Sequence, residues 1–204
     1  MWRSQRILTL AVLGLILSIQ SLAAQGGRRG LVELPREGTR HGFWIAGGLG
    51  YGQEQYRFEG GEFSDGLGKP TFALRLGGTP DQRVRLGGEV TVWANPYTDD
   101  EGFNITETLS SLTMIGQFYP MRTAGLFLKG GAGLGISAAS VEGGNGTTET
   151  GFVLNFGAGY DIPLGRTLAI TPTVEMFRHR FTQRDQPTLH ERLFHIGIAL
   201  TFQR

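Results

Sequence analysis

The chain has 204 residues, with 33 glycines, no cysteine, 10% aromatic residues and a formal net charge of +1. The lack of cysteine excludes disulfide bonds, thiolate catalysis and thiolate metal sites. The near-neutral charge gives no electrostatic support for a nucleic-acid partner. A chain of this length suits one domain.

The N-terminus has the pattern of a secretory signal peptide. Arg3 and Arg6 precede an apolar run over 7–19, and small residues follow over 21–24. The apolar run is shorter than the ~20 residues that a transmembrane helix needs. We therefore predict a cleaved signal peptide over 1–24. Its removal takes away two arginines and no acid, so the mature chain carries one more acidic than basic residue.

Residues 25–41 follow the predicted cleavage site. This segment is polar, contains several arginines and glycines, and shows no sustained strand alternation. We predict a flexible periplasmic segment. Docking to the cell wall or to a periplasmic partner through the arginines is the alternative hypothesis.

From residue 42 onward, apolar residues alternate with small or polar ones. The last run shows this best, because Phe194 and Phe202 share one face while His195 and Thr201 share the other. Such alternation is typical of strands, and bacterial membrane barrels have an even number of them. We therefore predict an all-β, eight-stranded antiparallel up-and-down transmembrane β-barrel over 42–204. Its strands are expected at about 42–53, 69–78, 83–94, 108–120, 125–136, 149–161, 167–180 and 191–203.

The connections between these runs alternate in length. Short ones are expected at 79–82, 121–124 and 162–166, and longer polar ones at 54–68, 95–107, 137–148 and 181–190. Short periplasmic turns and long extracellular loops are typical of outer-membrane barrels. We therefore predict that both chain termini are periplasmic and that four loops reach the cell exterior.

Aromatic residues recur at a spacing that matches a membrane. Phe43 and Tyr51 lie eight residues apart, as do two further pairs. In a tilted strand this separation spans ~20 Å, close to the ~25 Å apolar band between aromatic girdles. The predicted girdle residues are Phe43, Phe118, Tyr160 and Phe202 at the periplasmic rim, and Tyr51, Phe72, Phe152 and Phe194 at the outer rim.

Charged residues occupy the opposite face at mid-strand positions. Eight strands enclose an interior that side chains can fill, so this face is expected to line a packed lumen. Buried charges need partners. We therefore hypothesise a network in which the basic residues Arg75, Arg85 and Lys129 pair with Glu89 and Glu175. A narrow ion path is the alternative role. The predicted lumenal charge network comprises Arg75, Arg85, Glu89, Lys129, Glu175 and His195.

Three segments resemble one known family: GLFLKGGAGLGI at 125–136, GFVLNFGAGYDIPLG at 151–165 and FHIGIALTF at 194–202. They are similar to the small eight-stranded outer-membrane barrels of the OmpA transmembrane-domain and opacity-like type. The resemblance implies a location in the bacterial outer membrane. It also implies contact with outer-membrane lipid and lipopolysaccharide, and insertion by the barrel assembly machinery. A structural or surface-interaction role through the loops follows, with the extracellular ligand unknown.

We predict no enzymatic activity and no catalytic, cofactor-binding or metal-binding residues. A lipid A-modifying enzyme, which is one alternative, would need a serine beside a histidine near the outer rim. His179 and Glu191 are near that rim, but no serine follows residue 140. A second alternative is a soluble lipocalin-like periplasmic carrier, whose apolar face would line a ligand cavity.

Overall fold

The computed structural model describes residues 40–142, 144, 146–182 and 187–204. Within these ranges no helix is long and apolar enough to cross a membrane. The predicted signal peptide and most of the predicted N-terminal segment lie outside the described residues. The strands are β1 (Gly42–Phe58), β2 (Leu67–Asp81), β3 (Val84–Thr98), β4 (Asn104–Phe118), β5 (Leu126–Val141), β6 (Thr147–Tyr160), β7 (Ile162–Pro163), β8 (Leu168–Phe181) and β9 (Leu189–Gln203).

The eight long strands close into an antiparallel barrel. Consecutive strands pair from β1 to β6, the last strand β9 returns to β1, and β6 pairs directly with β8. The two-residue β7 belongs to the connection between β6 and β8, where it pairs with the start of β8. Within the described residues, closure pairs each of the eight long strands with a neighbour on both sides. The predicted fold class is confirmed.

The strands are longer than the sequence predicted at one end of the barrel. We call this the long-loop end, where the connections run over 59–66, 99–103, 142–146 and 182–188, and at the opposite end, the short-turn end, they run over 82–83, 119–125 and 161–167. The predicted difference in connection length between the two ends is wrong, because the strands extend into the predicted long loops and leave 99–103 and 142–146 shorter than 119–125. At the long-loop end Phe58 still pairs with Leu189, and Thr98 with Asn104. The predicted ends were wrong because they followed the loss of apolar alternation, whereas backbone hydrogen bonding continues through polar residues.

The two faces of the wall separate by polarity. On β9, Ile196 and Ile198 point outward and are 54% and 63% exposed, whereas His195 and Thr201 point inward and are buried. Successive strand residues face opposite sides of a sheet, so the apolar set lies outside the barrel. A lipocalin-like carrier requires the reverse arrangement. The soluble-carrier alternative is therefore not supported.

Candidate functional site

Two cations and two carboxylates form a closed ring in the middle of the lumen. Arg75 Nε lies 2.7 Å from Glu89 Oε2, and Arg75 Nη2 lies 2.8 Å from Glu175 Oε1. Across the lumen, Lys129 Nζ lies 2.6 Å from Glu89 Oε2 and 2.8 Å from Glu175 Oε1. All four side chains are buried. Because the formal charges cancel, the ring places no net charge in the barrel interior.

Neighbouring polar groups extend this ring. The Thr91 hydroxyl donates to Glu89 Oε1 at 2.9 Å, and the Asn155 amide donates to the same oxygen at 3.5 Å. His195 Nδ1 lies 3.5 Å from Glu175 Oε2. Glu89 Oε1 therefore has hydrogen-bond donors beyond the two cations, whereas Glu175 Oε2 lies near His195 but has no hydrogen-bond partner among the described residues.

Strand register brings the ring together. Arg75 and Glu89 are cross-strand partners on β2 and β3, and Glu175 and His195 are partners on β8 and β9. Lys129 and Glu175 are both opposite Gly157, from the two strands that flank β6. A Cβ at Gly157 would lie 2.9 Å from Glu175 Cγ. The glycine at position 157 therefore leaves room for the Glu175 side chain of the ring.

Arg85 is not part of this ring, and its predicted pairing with the glutamates is wrong. Its Nη1 atom lies 2.9 Å from Asp161 Oδ2 and donates to the Tyr119 hydroxyl at 2.6 Å. Arg85 stands near the start of β3 at the short-turn end, whereas Glu89 stands two inward positions further along that strand. The separation along the barrel axis explains why Arg85 has a different partner.

The Arg85 pair belongs to a side-chain plug at the short-turn end. The Tyr119 hydroxyl donates to Asp161 Oδ2 at 2.9 Å, and the Tyr119 ring packs 5.3 Å from that of Phe127. Burial, together with the negative charge of Asp161, raises the pKa of the Tyr119 phenol, which therefore stays protonated. Arg40 covers the outer side, with its guanidinium 3.8 Å from the Tyr119 ring centroid.

An apolar layer lies between the charge ring and the long-loop end. Within it the His179 ring stacks on Phe177 and Phe181, with centroid distances of 6.4 and 6.0 Å. Ser111 Oγ lies 2.8 Å from His179 Nε2. Sequence reasoning missed this serine, although Ser111 and His179 both sit at inward positions of their strands. The remaining members of the layer include Trp93, Leu109, Val153 and Leu193.

The Ser111 and His179 pair does not have the placement that a lipid A-modifying enzyme needs. Both side chains are buried inside the lumen, at 3% and 2% exposure. A nucleophile for a lipid substrate must face the lipid. The geometry favours a hydrogen bond that satisfies two buried polar groups.

Above the apolar layer, the lumen opens into a pocket of about 510 Å3 that we call the acidic vestibule. Glu191 accepts from the Ser137 hydroxyl at 3.2 Å, and Glu107 accepts from Asn95 at 3.0 Å. Atoms Glu54 Oε1 and Glu191 Oε2 are buried without a hydrogen-bond partner among the described residues. The carboxylates that line the vestibule are Glu54, Asp65, Glu107, Glu149 and Glu191.

The described residues contain no group of three or more histidine, aspartate or glutamate side chains arranged to hold a metal ion. The vestibule carboxylates line a wide pocket and are drawn from several strands and one loop. Their arrangement suits a larger cationic group better than a single metal ion, because metal ligands must converge within about 2.6 Å of one point.

The eight predicted girdle residues all have outward, exposed side chains. Phe43 on β1 and Phe202 on β9 lie near the short-turn end, where Ile45 pairs with Phe202. Tyr51 pairs with Ile196, the next outward residue after Phe194. Phe43 and Phe202 thus lie at one level of the wall and Tyr51 and Phe194 at another, and the assignment of all eight residues to two membrane girdles stays a prediction.

These features define a class by fold: the closed barrel has the fold of small eight-stranded outer-membrane β-barrels, with an apolar outer face and a filled polar lumen. One similar structure is that of Ail, the attachment invasion locus protein of Yersinia pestis, in complex with the heparin analogue sucrose octasulfate. It is 14% identical, covers 79% of this chain and 99% of its own, and has a TM-score of 0.51.

A second similar structure is that of Neisserial surface protein A. It is 13% identical, covers 81% of this chain and 99% of its own, and has a TM-score of 0.51. No protein-family model and no curated protein matches the sequence. At these identities the likeness establishes the fold, so the predicted resemblance to small outer-membrane barrels is confirmed at that level. The narrower OmpA-like assignment stays a prediction.

Proposed function

We propose that the protein is a non-enzymatic barrel of the bacterial outer membrane, with a structural or surface-interaction role. The neutral ring of Arg75, Glu89, Lys129 and Glu175 carries this proposal, because paired and buried side chains across the lumen favour a packed interior over a diffusion pore. The plug around Tyr119 adds a second layer of packed side chains.

In this proposal the short-turn end faces the periplasm and the long-loop end faces the cell exterior. At the long-loop end the strands continue through polar residues beyond the predicted aromatic girdle, which suits the extracellular side of an outer-membrane barrel. The outer face would contact outer-membrane lipid and lipopolysaccharide, and the barrel assembly machinery would insert the chain. We propose no nucleic-acid partner.

Three measurements test the proposal. Unheated protein from washed outer membranes should migrate differently in SDS gels from boiled protein, because folded membrane barrels resist SDS until heated. Planar bilayers should show no steady single-channel conductance. An epitope tag in loop 59–66 should be digested by protease added to intact cells, whereas the same tag in turn 119–125 should be protected. Reversed protection would overturn the orientation, and steady conductance would overturn the closed lumen.

The acidic vestibule favours a second role, the binding of a ligand that bears positively charged amines. Glu54 and Glu191 are each only 8% exposed, and each carries one buried oxygen without a partner in the described structure. A buried carboxylate oxygen is costly to leave unpaired. A cationic group inside the vestibule would provide the missing donors.

Spermidine is a suitable probe of this second role. We expect the folded barrel to bind it, and the double variant Glu54→Gln/Glu191→Gln to bind about tenfold more weakly, which corresponds to one charge-assisted hydrogen bond. The control Glu59→Gln/Glu62→Gln makes the same charge change in the exposed loop over 59–66. Equal binding by all three proteins would exclude the vestibule as the site.

A further inference from the structure

Basic residues are concentrated on one part of the outer wall at the long-loop end. Arg57 on β1, Arg178 and Arg180 on β8, and His190 and Arg192 on β9 continue the outward-facing positions of their strands. We call this set the outer basic patch. These three strands are neighbours in the barrel, so the five residues form one continuous surface.

Strand register sets the basic groups side by side. Arg178 is directly opposite Arg192, and Arg180 is directly opposite His190. On the other side of β9, Arg57 is also opposite His190. Like charges directly opposite each other, such as those of Arg178 and Arg192, destabilise a sheet. A surface that keeps this arrangement is suited to an anionic ligand, which would relieve the repulsion.

The patch includes a pocket of about 310 Å3. Phe63, from the loop over 59–66, covers two of its guanidinium groups. The Phe63 ring centroid is 3.2 Å from Arg192 Cζ and 4.7 Å from Arg57 Cζ. Stacking on the ring face fixes each guanidinium plane and leaves its N–H groups available at the edge.

The arginines of the patch lack acidic partners within the described residues. None of them forms a salt bridge there, and Arg57 Nε and Arg192 Nε are buried without a hydrogen-bond partner. Glu191 also borders the pocket. Its carboxylate, however, lines the acidic vestibule and accepts from Ser137 in the barrel interior. The patch therefore has donors that protein acceptors in the described structure do not use.

The height of the outer basic patch along the barrel indicates which part of the membrane it contacts. Arg192 occupies the first outward position beyond Phe194 on β9. On β8, Arg180 is directly opposite the predicted girdle residue Phe152, and Arg178 is one outward position nearer the barrel middle, with its guanidinium 5.5 Å from the Phe156 ring centroid. One such step along a tilted strand is about 5 Å. The patch thus spans the level of the outer aromatic residues, where lipid headgroups meet the apolar band. On β4, β5 and β6, the outward positions near the long-loop end carry the neutral residues Thr106, Thr108, Ser140, Thr148 and Thr150.

We propose that the outer basic patch binds the phosphate groups of one lipopolysaccharide molecule, whose acyl chains lie along the apolar wall below. This inference rests on the proposed outer-membrane location and orientation. Arginine forms bidentate, charge-assisted hydrogen bonds with phosphate. Lipopolysaccharide carries phosphate groups next to its acyl chains, and the patch adjoins the apolar outer face on β8 and β9. The one-sided patch predicts a fixed lipid position rather than a uniform lipid ring.

The test measures lipopolysaccharide binding to the purified, folded, full-length mature barrel in neutral detergent. Wild type is compared with Arg178→Gln/Arg180→Gln/Arg192→Gln. The control Arg83→Gln/Arg122→Gln/Arg166→Gln removes the same charge from exposed positions at the short-turn end. The probes are rough lipopolysaccharide, the same lipid after phosphatase treatment, and inorganic phosphate as a competitor. Heat-dependent gel mobility verifies folding of each variant before binding is measured.

We expect wild type and the control to bind equally, and the patch variant to bind at least about tenfold more weakly. Phosphatase treatment should weaken wild-type binding to the level of the patch variant. Competition by inorganic phosphate at low concentration would instead indicate a free-phosphate site and overturn the lipid assignment. Equal binding by wild type and the patch variant would overturn the proposal.

Two further results keep the proposal separate from protein stability and from the proposed function. If the triple variant does not fold, the conservative set Arg178→Lys/Arg180→Lys/Arg192→Lys keeps the charge and loses bidentate geometry, and it should show intermediate binding. Wild-type binding by this lysine variant would overturn the bidentate contact. A barrel that shifts on heating yet does not bind lipopolysaccharide contradicts only the lipid site. A wild-type protein found in the soluble periplasm contradicts the proposed function itself.

Discussion

The middle of the lumen and the long-loop end handle charge in opposite ways. In the middle, Arg75, Lys129, Glu89 and Glu175 alternate in a ring and neutralise one another. At the long-loop end the wall separates the signs, with the acidic vestibule inside and the outer basic patch outside. On β9 the separation is visible in consecutive residues, because His190 and Arg192 face outward while Glu191 faces inward.

This difference indicates different roles for the two regions. Paired buried charges are strongly destabilising to break but need nothing from outside the protein. Charges kept apart by a strand wall cannot neutralise each other by direct contact, so they remain available to ligands on either side. The middle of the lumen is therefore expected to govern stability, and the long-loop end to govern binding.

The largest expected effect is that of Glu89→Ala. It removes the acceptor of Arg75, Lys129 and Thr91 and leaves uncompensated positive charge in the lumen. We expect a loss of roughly 3–5 kcal/mol in the free energy of unfolding. Urea titration of the barrel in lipid vesicles would measure it, with the loop variant Glu62→Ala as the control. An unchanged unfolding midpoint would end the hypothesis of a stabilising ring.

The plug at the short-turn end should show a smaller effect of the same kind. Asp161→Asn removes the negative charge beside Arg85, and its single amide oxygen can replace only one of the two carboxylate oxygens that accept from Tyr119 and Thr171. We expect a loss of about 1–3 kcal/mol in the same titration. Asp100→Asn, in an exposed loop, is the matched control. A loss as large as that of Glu89→Ala would contradict the difference between the two sites.

Alkaline pH should weaken the same plug through Tyr119. Because burial raises the pKa of this phenol, the unfolded chain loses the proton first, above the ordinary value of 10.0. Stability is therefore fully present below that pH and falls as pH rises, by roughly 1.4 kcal/mol at about pH 11. The measurement is the difference between wild type and Tyr119→Phe across this range.

The matched control for the alkaline experiment is Tyr160→Phe, which removes an exposed phenol from the outer wall. It should keep the alkaline loss of wild type, whereas Tyr119→Phe should reduce it. Parallel pH curves for wild type and Tyr119→Phe would show that the phenol of Tyr119 does not account for the loss.

The smallest effect is expected from Glu191→Gln, and it gives the sharpest comparison with the ring. The same substitution at Glu175 breaks contacts with two cations, whereas Glu191 has only the Ser137 hydroxyl as a described partner. We expect Glu175→Gln to destabilise the barrel and Glu191→Gln to change its stability by less than about 0.5 kcal/mol, or to stabilise it. Equal losses for the two variants would remove the proposed distinction between the regions.

Much of the candidate site follows from the alternation of inward and outward residues along each strand. Site residues were missed where this alternation was followed only through the middle of a strand. Glu54 is an inward residue of β1, and the alternation of β6 continued one residue past its end reaches Asp161. Both residues were missed because the predicted network was restricted to mid-strand charges. Extending the alternation through the polar ends of the strands would have found them. Arg85 was assigned the wrong partner because alternation specifies the face of a residue and not its height in the barrel.

The sequence by itself determined the fold class, the outward and inward face of each strand, and the set of side chains enclosed in the lumen. These depend on local alternation, which each strand carries in its own residues. The tertiary structure alone decided which enclosed charges meet, since that depends on register and shear around the closed barrel. It also decided that basic residues from β1, β8 and β9 share one surface, because only closure places the first strand beside the last.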